Sequence, residues 1–198
     1  MTSILKVDQI QTTAGAAPTT KDLGLNVSGS VLQVVHGTLP TTLASTGAAG
    51  SDYLVNIGLS ATITPKVSNS KILIETSLYV GADQTGSSGY LQSYLIYKAG
   101  SVFNDVHGTS ESGRRRVAGS INDYNSGVSS VQYRLSNLSG THMDTNVGTT
   151  SATTYSIYMR SYSSGPNVYV NRSQAYQISS TDYDHNPSST ITLTEIAA

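Results

Sequence analysis

A ten-residue alternating run, KILIETSLYV at Lys71–Val80, constrains the fold more than any other stretch of the chain. Successive side chains of a strand point to opposite faces of a sheet, so residues of one parity share a face. One parity of this run is apolar except for Thr76, and it comprises Ile72, Ile74, Leu78 and Val80. Ser-Asn-Ser precedes the run and Gly81 follows it, which is typical of the ends of a strand. The run therefore predicts a central strand in a two-layer core.

Composition extends this prediction to the rest of the chain. Ser and Thr make up more than a quarter of the 198 residues, there are 18 Gly and 13 Tyr, and only 12% of the residues are charged. Ala, Leu, Glu and Lys are too sparse for long helices, whereas Thr, Val, Ile and Tyr suit pleated, half-buried surfaces. We predict an all-β fold, an antiparallel β-sandwich of jelly-roll type with an extended N-terminal arm.

Alternating or apolar runs between turn residues predict a fold of about eight strands. The candidate runs are nine, at residues 31–36, 53–57, 59–64, 71–80, 90–98, 128–137, 153–163, 167–171 and 191–196. Residues 101–104 and 114–118 are shorter candidates. Residues 37–52 form a predicted loop, and Ser139-Gly140 is a predicted turn. Ser164-Gly165-Pro166 predicts a hairpin between strands 153–163 and 167–171.

Residues 1–30 differ from the remainder of the chain. Their first segment carries the apolar residues Ile4, Leu5, Val7 and Ile10, and a polar, small-residue stretch follows it. So few apolar side chains cannot bury enough surface to offset the entropy of ordering the segment alone. We predict an attachment arm over residues 1–30, which lies on the head, on another copy or on a partner, and a head domain over residues 31–198.

Charge and cysteine content exclude several classes of function. The net charge of −1 gives no bulk attraction to nucleic acid or to an anionic membrane surface. The absence of cysteine excludes disulfides, thiolate metal sites and cysteine nucleophiles. Residues 1–10 lack the basic start of a signal peptide, and no apolar run is long enough to span a bilayer. We expect a soluble protein made in a cytoplasm, with no nucleic-acid partner and no membrane insertion.

Two segments concentrate acidic residues and histidine. TDYDH contains Asp182, Asp184 and His185, and NDVHGTSE contains Asp105, His107 and Glu111. Such side chains can hold a cation, but the same residue types commonly bond their own backbone in loops. No pair of carboxylates stands out for glycoside cleavage, and no G-x-S-x-G elbow is present. We expect no catalytic site and no cofactor, with Asp182, Asp184 and His185 as a weak candidate metal site.

Two further motifs favour ordinary loops over binding sites. The glycine-rich segment Gly81–Gly89 is followed by a strand and lacks the helix and lysine of a phosphate-binding loop. Arg114-Arg115-Arg116 is compatible with an acidic partner, but a solvated loop or strand edge is the favoured interpretation.

The tyrosines are the most informative candidates for recognition. Tyr133 and Tyr155 fall on parities that predict core positions. The others that we single out occupy the opposite parity or loops, and they are Tyr124, Tyr158, Tyr162, Tyr169 and Tyr183. Tyrosine combines a rigid apolar ring with a polar tip, which suits subunit interfaces and stacking on sugar rings. The alternative is a second tyrosine-rich face that the chain's own loops cover.

Several segments together resemble tail-fibre and virion appendage proteins of tailed phages, closest in style to those of phages that infect cyanobacteria and other aquatic bacteria. The first is ILKVDQIQ at Ile4–Gln11, followed by TTAG and LGLNVSGSVLQVVH. The others are GLSATITPKVSNSKILIETSLYV, YLIYKAGSVF, TTYSIYMRS with NVYVNR, and the C-terminal SSTITLTEIAA. The set touches most of the chain, although each motif alone is short.

The resemblance implies a homotrimeric, non-enzymatic appendage located in the virion. Residues 1–30 would attach it to other virion structural proteins and form the trimer, and the β-sandwich heads would contact the host surface, with a glycan as the expected receptor. The alternatives are a capsid decoration protein or a free-standing carbohydrate-binding module. A polysaccharide depolymerase is the enzymatic alternative.

Overall fold

The computed structural model describes residues 27–46, 52–81, 90–109, 111–112, 114–123, 133–162, 167–175 and 185–198. These residues form eleven strands and one short 3-10 turn, Asn104–Val106, and the strands make two antiparallel sheets that pack against each other. The predicted all-β sandwich is confirmed. The predicted arm residues Ile4, Leu5, Val7 and Ile10 lie outside the described residues.

The strands are divided between two sheets. Sheet A contains β1, β2, β4, β8, β10 and β11, and sheet B contains β3, β5, β6, β7 and β9. Their bounds are β1 (Val31–Leu39), β2 (Leu43–Thr46), β3 (Asp52–Ile63), β4 (Lys71–Gly81), β5 (Tyr90–Lys98), β6 (Ser101–Val102), β7 (Gly119–Asp123), β8 (Leu135–Asp144), β9 (Thr153–Tyr162), β10 (Asn167–Val170) and β11 (Ser189–Ile196).

Each sheet has four rows of strands, some of which are interrupted. In sheet A, β11 and β10 lie in one row because both pair with the same edge of β4, and β1 and β2 form the next row outward. β8 pairs with the other edge of β4. In sheet B the rows are β3, β9, β5, and then β7 with β6. With the rows numbered along the chain, sheet A runs 1-8-3-6 and sheet B runs 2-7-4-5, which is the arrangement of a jelly roll.

β4 is the central strand that its alternating pattern predicts. Its apolar parity is buried, with Ile72, Ile74 and Leu78 at 0% exposure and Val80 at 2%. Thr76 interrupts the apolar pattern but is also buried, and its hydroxyl donates to the hydroxyl of Tyr94 in sheet B (3.0 Å). The core lies between this face and the inner faces of β3, β5 and β9.

The backbones of the two sheets approach each other closely beside Gly37 of β1. A Cβ atom at this position would overlap the carbonyl oxygen of Ser60 in β3. Only glycine lets the backbones of the two sheets come this near. Beside this approach β3 carries a bulge between Asn56 and Ser60, so the two predicted strands 53–57 and 59–64 are one bent strand. Bulges bend a strand and increase its local twist.

Four boundary predictions are wrong. Residues 128–132 of the predicted strand 128–137 lie outside the described residues, and its predicted end is too early, because the sixth row is β8, Leu135–Asp144. The predicted turn Ser139-Gly140 therefore lies inside a strand, where a Cβ on Gly140 would overlap the hydroxyl of Tyr94. The predicted strand 114–118 is irregular, and β7 begins at Gly119 instead. Part of the predicted loop 37–52 is strand, since β1 reaches Leu39 and β2 follows.

Two tertiary predictions are also wrong. β9 and β10 do not form a hairpin, because β9 pairs with β3 and β5 in sheet B while β10 pairs with β2 and β4 in sheet A. The chain crosses between layers at this point, as jelly-roll connections do. Tyr133 is not a core residue, since it precedes β8 and is 41% exposed. Tyr155 is fully buried, as predicted.

A break in sheet A between β10 and β11 is closed by two buried side chains. The backbone of Tyr79 in β4 faces this break, and its carbonyl accepts from the N–H of Asn171 (2.8 Å) while its N–H donates to the hydroxyl of Ser189 (3.0 Å). The Asn171 amide nitrogen donates to the carbonyls of Leu39 (2.6 Å) and Thr41 (2.9 Å), where the outer row is also broken. Asn171 and Ser189 are both 0% exposed. Because buried backbone groups need hydrogen-bond partners, these bonds replace the strand-to-strand hydrogen bonds that are missing at the break.

A break in sheet B between β6 and β7 is closed in the same way. The backbone of Ile96 in β5 faces it, and its carbonyl accepts from the N–H of Phe103 (2.9 Å). Its N–H donates to Nε2 of His107 (3.0 Å), a side chain that is only 7% exposed. A side-chain acceptor therefore completes the sheet where no strand is present.

The junction in sheet A is testable by substitution. Asn171→Ala removes the amide that donates to two part-buried carbonyls and the oxygen that accepts from the buried Ser189 hydroxyl, so we expect a loss of about 3 kcal/mol in the free energy of unfolding. The exposed Asn146 provides a control, and Asn146→Ala should change it by less than about 0.5 kcal/mol. Urea denaturation followed by circular dichroism measures both, and equal stability of the two variants would contradict the assigned role of Asn171.

Candidate functional site

A chain of hydrogen bonds crosses the core and ends at the 3-10 turn. Thr76 donates to the Tyr94 hydroxyl, which is 2.8 Å from Nε2 of His142 in β8. His142 also hydrogen-bonds to the backbone of Val106 in the turn. Burial lowers the pKa of His142, and the bond to Val106 opposes this shift. The ring is therefore favoured in its neutral form, and the buried network holds the turn against both sheets.

The loop between β6 and β7 is fixed on the outside of sheet B. Arg116 donates through Nε to the carbonyl of Gly108 (2.7 Å) and through a terminal nitrogen to the carbonyl of Asn104 (2.8 Å). A guanidinium that bonds two carbonyls is held in one orientation. Arg116 thus fixes both the loop and the position of its own charge.

The outer face of sheet B carries a stacked pair of tyrosines beside this loop. The rings of Tyr97 in β5 and Tyr158 in β9 lie 3.8 Å apart at their centroids, with an angle of 22° between their planes. The amide of Asn56 in β3 donates to the Tyr158 hydroxyl (3.3 Å). Burial raises the pKa of Tyr97 and the neighbouring Tyr158 raises it further, while Arg160 lowers it. Both rings are half-buried and face away from the core.

A depression of about 400 Å³ lies between the stacked pair and the loop. Its size falls within the range of small-ligand sites. We call this surface the tyrosine–arginine face and define it by Tyr158 together with the residues that line the depression, Leu54, Leu95, Tyr97, Val102, Asn104, Arg116 and Arg160. These residues come from four strands and one loop, so the face exists only in the folded head.

Charge and polarity on the tyrosine–arginine face are uneven. Of the described residues that line the depression, two are arginines and none is acidic. Leu54 and Val102 are 41% and 38% exposed, whereas Leu95, on the same outer face, is only 5% exposed. The depression therefore combines a positive charge with an aromatic ring and apolar side walls.

The predicted tyrosines have separate positions. Tyr158 lies on the tyrosine–arginine face, and Tyr162 is the last residue of the same strand, β9. Tyr169 lies in β10 of sheet A, where Arg172 sits over its ring at 5.7 Å, so the structure does not bring it together with Tyr158. Tyr124 and Tyr183 lie outside the described residues.

The predicted acidic clusters do not form a metal site within the described residues. Asp182 and Asp184 lie outside them, and His185 is exposed. In the second segment, His107 is buried against β5 while Glu111 pairs with Arg114 on the surface (3.1 Å). Across the described part of the chain, no group of three or more His, Asp or Glu side chains is placed to hold a metal ion.

The buried ionic groups link the two sheets at one end of the sandwich. Asp144 of β8 is 2.6 Å from both the Lys98 ammonium and the hydroxyl of Tyr155, which donates to it. Burial raises the pKa of Tyr155, and the hydrogen bond to Asp144 raises it further. The Lys98 ammonium also lies 5.1 Å from the centre of the Phe103 ring. Asp144 is 2% exposed and Tyr155 is fully buried, so this cluster joins strands and is sealed from ligands.

A buried carboxylate anchors the connection between β3 and β4. Glu195 in β11 shares its inward parity with Ile191 and Leu193 and is 0% exposed. Its oxygens accept from Ser70 (2.7 Å), Gln33 (2.6 Å) and the backbone N–H groups of Lys66 (2.7 Å) and Val67 (3.3 Å). Burial by itself would raise the pKa of Glu195, but the hydrogen bonds from these donors have the larger combined effect, so its pKa is lowered. Glu195 is therefore a structural anion whose hydrogen-bonding capacity is filled.

A second depression, of about 330 Å³, lies on the outer face of sheet A. Serine and threonine side chains dominate its lining, and Glu75 is its one charged lining residue. It has no aromatic lining, and its strand positions form a regular ladder of short polar residues. The tyrosine–arginine face is chemically the more distinctive of the two.

Sequence reasoning identified only part of the tyrosine–arginine face. Tyr158 and the outward direction of Arg160 follow from the parity of β9. Tyr97 was missed because its contact with Tyr158 depends on the register between β5 and β9, in which Leu95 opposes Tyr158. The arginine run was expected to be solvated, and Arg114 and Arg115 are exposed, but Arg116 is half-buried and bonded to the loop. The alternation of β5 itself was the available signal for Tyr97.

Comparison with known proteins gives no assignment. No protein-family model matches the sequence, and no curated protein matches it significantly. Among the described residues, no helix is long and apolar enough to cross a membrane.

The buried histidine of the β6–β7 break makes stability depend on pH. Burial, Arg116 and His142 lower the pKa of His107 from 6.5 to about 4. Between these values the unfolded chain binds a proton that the folded chain does not, so stability falls as the pH drops from 6.5 towards 4. This group alone accounts for about 3 kcal/mol of that loss.

Urea denaturation at several pH values between 7 and 4 measures this dependence. His107→Gln keeps a side-chain acceptor for the Ile96 N–H but does not titrate, so we expect a flatter profile than that of the unaltered protein. The exposed Asn146 supplies a control, since Asn146→Ala removes no titrating group and should keep the original slope. A slope unchanged by His107→Gln would show that His107 is not the titrating group.

Proposed function

We propose that this chain is a non-enzymatic structural protein of a tailed-phage virion, a homotrimeric fibre whose jelly-roll head contacts the surface of the host cell. The resemblance of its segments to phage appendage proteins supports this function. The observation that carries it is a division of surfaces on the head. The N-terminal segment enters through β1 of sheet A, whereas the tyrosine–arginine face lies on the outside of sheet B. An arm held by the virion would therefore leave that face open to a host ligand.

The junction between arm and head supports a directed attachment. Gly29 donates to the carbonyl of Ala197 (2.8 Å), and Ala197 donates to the carbonyl of Ser30 (2.9 Å). These bonds extend the pairing of β1 with β11 beyond the strands. The arm consequently leaves from a fixed point at the edge of sheet A.

The exposed edge of sheet A supports association between copies. β1 is the outer row of this sheet, and Val31 and Val34 on it are 59% and 58% exposed. Val27, which precedes the strand, is 63% exposed. Edge strands with apolar side chains pair readily with other chains, and proteins usually cover them. A second copy packed on this edge would satisfy both the backbone and the valines.

The free-standing carbohydrate-binding module remains the second candidate function, because the stacked Tyr97–Tyr158 pair is the kind of aromatic surface that sugar rings contact. The two candidates differ in their association with the virion. A carbohydrate-binding module would bind glycans but would be absent from purified particles, whereas a fibre protein would be present in them.

Light scattering on the purified full-length protein at micromolar concentration tests the trimer. We expect three times the chain mass of 20.8 kDa. Val34→Lys places a charge on the exposed edge of β1 and should lower this mass without changing the circular dichroism spectrum. Thr62→Lys, on the outer face of sheet B, is the matched control and should leave the mass unchanged. A monomer of the unaltered protein would refute the trimer.

Deleting residues 2–26 tests the role of the arm. The deletion keeps the Gly29–Ala197 bonds, so the head should melt at nearly the same temperature as the full-length protein. We expect incorporation into phage particles to fall below detection when purified virions are probed with an antibody to the head. Incorporation of the truncated protein at the full-length level would place the attachment elsewhere.

A further inference from the structure

The tyrosine–arginine face offers one supported aromatic ring to a ligand. Tyr97 lines the depression, whereas Tyr158 covers one face of its ring and is itself held by the Asn56 amide. The stack on Tyr158 therefore holds the ring of Tyr97 in place. When a ligand contacts the remaining surface of this ring, the Tyr97 side chain loses little conformational freedom. Fixed aromatic rings bind flat, partly apolar surfaces, such as the C–H faces of sugars, at a low entropic cost.

Two guanidinium groups border the same depression. Arg160 follows Tyr158 by two residues on the same side of β9, so their Cα atoms are about 7 Å apart along the strand. Arg160 also lies close enough to the Tyr97 hydroxyl to affect its ionisation. Arg116 reaches the depression from the opposite wall while its guanidinium is fixed by two loop carbonyls. Arginine is suited to binding carboxylate and sulfate groups through paired N–H donors.

The ring and the arginines together define the chemistry of a ligand. We propose that the tyrosine–arginine face binds a saccharide whose ring carries an anionic group, with the sugar ring against Tyr97 and the anion at Arg160. This inference rests on the proposed function, for which it names the class of host-surface ligand. Among the described lining residues two are arginines and none is acidic, which favours an anion over a neutral sugar. The depression of about 400 Å³ accommodates a short saccharide segment and not a whole protein surface.

Neutral and nucleic-acid ligands fit the surface less well. A neutral sugar would make no charged contact with the two guanidinium groups that border the depression. Nucleic acid binds through extended basic surfaces, whereas the chain as a whole carries a net charge of −1. A short anionic saccharide matches the confined charge of this face.

Isothermal titration calorimetry of the full-length protein against three defined tetrasaccharides tests the proposal. The probes are a galacturonate tetramer, which carries carboxylates, a sulfated galactan tetramer and a neutral galactan tetramer. We expect at least one anionic probe to bind about ten-fold more tightly than the neutral one. The stronger of the two anionic probes identifies whether the host group is a carboxylate or a sulfate.

Variants locate the binding. Arg160→Gln should weaken binding of the anionic probe about ten-fold, and Arg160→Lys, which keeps the charge but loses the paired donors, should weaken it less. Tyr97→Leu should weaken binding, while Tyr97→Phe should retain it. Arg114→Gln removes the same charge from an exposed position outside the face and is the matched control, expected to leave affinity unchanged. Circular dichroism verifies that every variant is folded.

Three results would overturn the proposal. Failure of both anionic probes to bind would exclude this ligand class. An equal loss of affinity in Arg114→Gln and Arg160→Gln would indicate general charge attraction and not this face. A lower mass of Arg160→Gln or Tyr97→Leu in light scattering would assign the face to contact between copies. Because incorporation into virions is measured separately, the fibre function can stand when the saccharide proposal fails.

Discussion

The head depends on hydrogen-bond partners for the backbone N–H and C=O groups that face two breaks in its sheets. A buried N–H or C=O without a hydrogen bond costs about 1–3 kcal/mol, so a sheet cannot simply stop and resume. At both breaks the solution is the same. The carbonyl of Tyr79 or Ile96 accepts from a backbone N–H, and the N–H of the same residue donates to a side chain, Ser189 or His107. The breaks let the chain leave the sheet without exposing the core.

The tyrosine–arginine face is a consequence of the break in sheet B. The connection between β6 and β7 carries His107, which fills the break, and Asn104 and Arg116, which line the depression. The network from Thr76 through Tyr94 to His142 holds the same loop from inside the core. The wall of the candidate site is thus tied to the core at two points. A rigid wall reduces the entropy lost on binding.

The sequence predicts the layers of this fold well and their connections less well. Alternation identified β4 and β9 nearly to the residue because one face of each is buried in the core, and burial of one face imposes a period of two. The same reasoning failed at β8, where Ser139 and Gly140 suggest a turn. There the constraint is tertiary, since Gly140 passes against the hydroxyl of Tyr94 on the opposite sheet.

The candidate site was only partly predictable for a related physical reason. Parity along β9 places Tyr158 and Arg160 on an outer face without any knowledge of the neighbours. The stack of Tyr158 on Tyr97 depends on the pairing of β5 with β9, and the position of Arg116 depends on the path of the β6–β7 loop. Neither the pairing nor the path has a signal in the local sequence. His107 shows the same limit. In its segment it suggested a cation ligand, but the break in the sheet uses it as a hydrogen-bond acceptor.

Both sheets are interrupted, but their outer faces differ in the size and chemistry of their side chains. On sheet A, cross-strand neighbours such as Thr38, Thr190, Ser77 and Ser139 are short and polar, so the pleated surface stays shallow and hydrated. Sheet B bends at the β3 bulge and opens at the β6–β7 break, and it carries larger side chains between these irregularities. Small ligands bind in concave sites that combine apolar surface with a few fixed polar groups. The irregularity of sheet B supplies the concavity, and Arg116, already bonded to its loop, supplies a charge that need not be ordered when a ligand arrives.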